Sequence, residues 1–174
     1  MDRLTPAGQS GKRPALITPV LKRGMDYWQS KCSGDRLPAR QDIDPGEIKD
    51  LLPHIILSDV LPSMRHDEPC DYRFRLMGTH VEEHMSSRRS GLRLSEVLPR
   101  THDSELWHNL DRVVESRRPQ FHAVPYIGPH RDFKLGLDVI LPLSEDGRSV
   151  SMLMSVVHFL TQPDFERIAI PRPA

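Results

Sequence analysis

At 174 residues, with 24 basic and 24 acidic side chains, the chain is long enough for one domain with a real hydrophobic core. It has no net charge to draw it onto nucleic acid or an anionic membrane. No apolar run nears the roughly 20 residues that span a bilayer, and the first residues lack the apolar run of about 7 to 15 that a signal peptide needs, so a soluble, cytoplasmic protein that binds neither nucleic acid nor membrane is expected.

Residues 1–18 are rich in Pro, Gly, Ser and basic side chains without an apolar period, and are expected to form a disordered tail. From Pro19 the pattern changes. Leu21, Met25, Trp28 and Cys32 recur at spacings of 4, 3 and 4, one face of a helix closed by Ser33-Gly34. That face needs an apolar surface, either the chain's own core or a matching helix of a partner. Cys32 and Cys70 fit neither a CxxC pair nor a metal knuckle and read as reduced thiols.

Asp44-Pro45-Gly46-Glu47 predicts a helix start with Asp44 as cap, ended by Pro53. His54 to Leu61 reads as an interior strand with apolar groups on both faces. Asp71 to Met77 alternates, with Tyr72, Phe74 and Leu76 on one face and Arg73 and Arg75 on the other, and so predicts a half-buried strand. Short helices follow, one from Thr79 through Met85 and one over Leu94 to Leu98. A longer helix is expected over Asp103 to Arg117, with Leu106, Leu110, Val113 and Val114 on its apolar face.

Three strands end the pattern: Gln120 to Ile127, placed near an edge by Pro125, then Phe133 to Leu141, then Val150 to Phe159. Met152, Met154 and Val156 face one way in the last of these and Leu153, Val157 and Phe159 the other, so both faces need cover. The result is an α+β domain over residues 19–160, an antiparallel sheet with helices largely on one face, followed by a C-terminal tail over 161–174.

The local text resembles a bacterial PAS domain subfamily. The residues that carry the likeness are Tyr27-Trp28; Leu37-Pro38-Ala39-Arg40 with Ile43-Asp44-Pro45; Leu51-Leu52-Pro53-His54; Tyr72 to Thr79; Leu141-Pro142-Leu143-Ser144; and Asp146-Gly147-Arg148, within residues 25 to 159. The resemblance implies a PAS-like five-stranded antiparallel sheet with connecting helices on one face and an N-terminal helix. It implies a sensory or regulatory module in bacterial signalling that binds a small ligand, a signalling protein partner, or both. Such modules tend to form homodimers through the N-terminal helix or the outer sheet face. Leu21, Met25 and Trp28 are then the candidate seam, and Phe74, Met77, Met85, Trp107, Leu137, Met152 and Met154 the candidate pocket wall. Fold alone does not fix a ligand.

No cofactor is assigned. His80 and His84 stand four apart and could share a metal, but HVEEH is not the HExxH of zinc peptidases, so they read as a surface pair and no metal site is assigned. His108, the candidate haem ligand, falls off the helix's apolar stripe. Neither cysteine lies where a flavin adduct would need it, which leaves only noncovalent flavin open. Arg88-Arg89 and Arg117-Arg118 could meet an anion, but short basic pairs of this kind are usually solvated helix ends, and they read as such. No GxSxG elbow or phosphate loop occurs, and no kinase or cyclase segment follows, so output is expected to pass through a partner. Two other classes remain: an enzyme on a similar α+β scaffold using His and Asp as acid and base, marked by a polar cavity holding both, and a structural dimer with a filled core.

Overall fold

The computed structural model describes residues 17–63, 69–85, 88–101, 104–125 and 129–164. The first 16 residues of the expected N-terminal tail, most of the C-terminal one, Asp103 and the end of the strand expected to reach Ile127 lie outside them.

Helix α1 (Pro19–Lys31) starts where Thr18 Oγ1 accepts from the Leu21 amide, with Pro19 in the first turn, where its missing N–H costs nothing. Three 3₁₀ turns follow, Arg40–Asp42, Pro45–Ile48 and Leu52–His54, where a helix was expected from Asp44. The Asp44 cap forms, accepting from Gly46 N at 2.8 Å. Pro45 and Pro53 are too close together, with Gly46 between them, for the helix to propagate.

Strands β1 (Ile55–Leu61), β2 (Asp71–Met77), β3 (Gln120–Pro125), β4 (Phe133–Leu143) and β5 (Met152–Thr161) form one antiparallel sheet in the order β2-β1-β5-β4-β3. Helices α2 (Thr79–Glu83), α3 (Leu94–Val97) and α4 (Glu105–Ser116) fill the connection between β2 and β3. The sequence placed β1 inside the sheet and β3 at an edge, as found.

The register gives the sheet two faces. Ile55, Leu57, Met152, Met154, Val156, Val139 and Leu141 share the outer one. There α1 lies so close that a Cβ on Gly24 would sit 2.7 Å from Val156 Cγ2. The Trp28 indole donates to the Pro142 carbonyl at 2.8 Å, and Pro142 is tolerated in a strand because it lies beyond the last β3 pair, Gln120 with Ile140. On the inner face Tyr72 meets Trp107 of α4, ring centroids 5.8 Å apart, and its hydroxyl donates to Asp111 at 2.7 Å. Arg100 grips the other oxygen of Asp111 at 2.6 Å and stacks on Trp107.

Two expectations are corrected here. A β-bulge lets Leu57 pair with Leu76 and Ser58 with Phe74, leaving Arg75 extra. Leu76 therefore leaves the face of Tyr72 and Phe74 and stands 43% exposed, while Arg73 and Arg75 both reach the buried Asp59 at about 3 Å. On α4 the buried stripe is Trp107, Leu110 and Val113, with Leu106 exposed, because the face turned to the sheet is one residue round from the one the aliphatics suggested.

Candidate functional site

Alternation in β4 separates Leu137, Val139 and Leu141 from Gly136 and Asp138 but does not say which set points inward. The apolar set faces α1, and Asp138 points to the helix-covered inner side. Opposite it on β3 stands His122, whose Nδ1 lies 2.9 Å from Asp138 Oδ1. The carboxylate fixes the ring's orientation, and its Nε2 is buried with no hydrogen-bond partner among the described residues.

Asp138 pairs with Val157, two residues from Ser155; Ser155 pairs with Ile56, two residues from Ser58. His122, Asp138, Ser155 and Ser58 thus form one diagonal of polar side chains across four strands. Ser58 is 5% exposed and Ser155 9%. The diagonal is therefore a row of groups able to hydrogen-bond on the inner face, among which the buried Nε2 of His122 stands without a partner among the described residues. The sequence showed Asp138 in an otherwise apolar strand, which was the available signal for it; His122 carried none.

A second feature lies where β5 outruns β1. Ile55 with Val156 is the last pair between them, and beyond it histidine rings line the strand. His54 Nδ1 meets the Val157 carbonyl at 3.0 Å. His80 touches His54 and His84, centroids 4.5 and 4.6 Å apart, and His84 stacks on Phe159 at 4.3 Å. Burial, helped by His54, His84 and His158, lowers the His80 pKa to about 4, and burial with His54 lowers that of His158. Among the described residues no group of three His, Cys, Asp or Glu is placed to hold a metal.

The residues expected to line one pocket are divided. Phe74 and Trp107 lie on the inner side, and Leu137, Met152 and Met154 on the outer, since alternate residues of a strand serve opposite faces. Met85 follows α2, half-buried. Met77 and Met154 both border an outer hollow of about 400 Å³, although the register pairs Met77 with Ile56 of the inner face and Met154 with Leu57 of the outer. Of the candidate seam, Leu21 is fully buried and Trp28 nearly so against the chain's own sheet, leaving Met25 half-buried; of the two alternatives, α1 takes the intramolecular one. His108 is exposed on α4. Arg117 and Arg118 border a polar groove with Arg36.

Residues 18–157 match the model of a family described as PAS domain. The fold aligns with the crystal structure of a sensory box sensor histidine kinase from Vibrio cholerae at 20% identity and a TM-score of 0.44, covering 67% of this chain and 89% of that one. No curated protein matches the sequence.

Proposed function

The chain belongs to the PAS domain family, and on that premise we propose that it is a non-catalytic sensory module whose small polar ligand binds the inner diagonal. The observation that carries this reading is the His122–Asp138 pair, whose buried His122 Nε2 has no partner among the described residues, continued across the sheet by Ser155 and Ser58. With Nδ1–H donating to Asp138, the His122 Nε2 accepts, as does the free Asp138 oxygen, while the Ser155 and Ser58 hydroxyls can donate, so a ligand with both a donor and an acceptor is matched. Occupancy then passes through the sheet to the surface that a signalling partner, or a second copy in a homodimer, would contact.

The His122–Asp138 dyad is also what an acid–base enzyme would use, and one experiment separates the two. Protein purified without added ligand is weighed by native mass spectrometry, with Asp138→Asn and Ser155→Ala alongside. Retained small-molecule mass, lost in both variants, supports the sensor. Wild-type protein without added mass, or mass that survives both substitutions, rules out the inner diagonal as its site. If the released compound is chemically altered by wild-type protein and not by Asp138→Asn, the chain is an enzyme.

A further inference from the structure

The outer hollow lies on the side of the sheet opposite the polar diagonal. Its walls are Ile43 and Ile48 from the 3₁₀ segment, Leu52 and Pro53 from the last turn, and Ile55, Leu57, Leu76, Met77 and Met154 from the strands. The 3₁₀ segment keeps it open. A run of separate turns bridges past the sheet where a helix would lie along it, and the bulge in β2 turns Leu76 toward the gap. Gly78 closes one end, since a Cβ there would fall 2.3 Å from the Leu52 and Pro53 carbonyl oxygens. Leu52 and Leu76 stay 36% and 43% exposed, an apolar surface that the described fold leaves uncovered.

Charge at this hollow is one-sided. Arg40 and Lys49 both border it, and neither forms an ion pair with a described residue. Of the nearby acids, Glu47 pairs with Lys31 and Asp50 with Arg23, while Asp42, Asp44 and Glu145 accept from the Ala39, Gly46 and Arg40 amides. None of these acids borders the hollow, so the only charged side chains in its lining are two cations. At about 400 Å³ the space is at the small end of the ~300–1,000 Å³ of ligand sites.

We propose that this hollow is a second binding site, for a small amphipathic anion such as a medium-chain carboxylate, with its apolar chain against Leu57, Leu76 and Met154 and its head between Arg40 and Lys49. The site is independent of the inner diagonal and uses the opposite face of β1 and β5. Lys49 supplies a point charge, and Arg40, whose Nη1 already holds the Ile43 carbonyl at 3.1 Å, offers its remaining donors.

The full chain is titrated with decanoate, decanol and decylamine below their micellar concentrations, followed by calorimetry and by methyl NMR of Leu76 and Met154. The expected result is one-to-one binding of decanoate about tenfold tighter than decanol, with decylamine weakest. Lys49→Gln, an exposed change that should leave the fold intact, should weaken decanoate roughly threefold or more and leave decanol unmoved. Leu76→Gln should weaken both. Equal affinity for decanoate and decanol overturns the anionic head. Unmoved Leu76 and Met154 methyls with every probe overturn the site itself. A concentration-dependent dimer in probe-free protein that Leu76→Gln abolishes would assign the hollow to a second copy and overturn the small-molecule reading.

Discussion

On the outer face of the sheet Val139, Leu141, Met154 and Val156 are fully buried beneath α1 and the 3₁₀ turns, whereas directly behind them the inner face carries Asp138, Ser155 and Ser58. The same strands supply both sets. One face is close-packed where α1 crosses it, with Gly24 admitting Val156 and Trp28 hydrogen-bonded across to β4. The other gives up apolar burial to Asp138, which His122 holds, and to two serines. A protein selected only for stability would fill that diagonal with Val and Leu, so on the proposed reading the polar groups exchange stability for recognition.

The largest test of this contrast is Trp28→Ala. It removes a buried indole and its hydrogen bond and should cost about 3–5 kcal/mol in chemical denaturation; a loss below about 1 kcal/mol would mean that α1 does not anchor the outer face. A smaller effect is expected on acidification. The folded-state pKa values of His80 and His158 lie below the unfolded value, so the unfolded chain takes up protons first. Stability is unaffected by these groups above the ordinary histidine value of about 6.5 and falls as pH drops from there toward about 4, the value for His80. A Tm that rises over that window, or a slope that His80→Phe leaves unchanged, would remove these rings as the cause. The smallest effect has the opposite sign. Ser155→Ala replaces the hydroxyl of a nearly buried residue in the sheet with a methyl group and should raise stability of ligand-free protein by roughly 0.5–1 kcal/mol. Destabilisation by that change would show that the hydroxyl is satisfied and would weaken the contrast between the faces.

Much of the architecture was legible. Pro19 begins α1, Asp44 caps its turn, and the alternation of Phe133 to Leu141 defines a strand, although Thr18, placed in the expected tail, is buried and caps α1. Three features were not. Alternation sorts residues into two faces without saying which faces in when both are covered, so the sequence left the side taken by Asp138 open. A bulge adds one residue to one strand in answer to its partner's register, and nothing local to Arg75 announces it. The candidate pocket of seven residues assumed that Met and aromatic side chains near one another in type would be near one another in space. Strand parity decides that instead, and it put Leu137 and Met152 on the side away from Phe74 and Trp107.

The histidines beside β5 have a consequence for colloidal behaviour. From Val157 onward β5 has lost β1 as a neighbour, and a bare strand edge is a template on which another chain can add its own strand and start a fibril. The His54 ring occupies the Val157 carbonyl, and the rings of His80 and His84 crowd the same flank. Bulky aromatic rings guard the edge, where many proteins use lysine, and they make this end of the sheet a barrier to polymerisation.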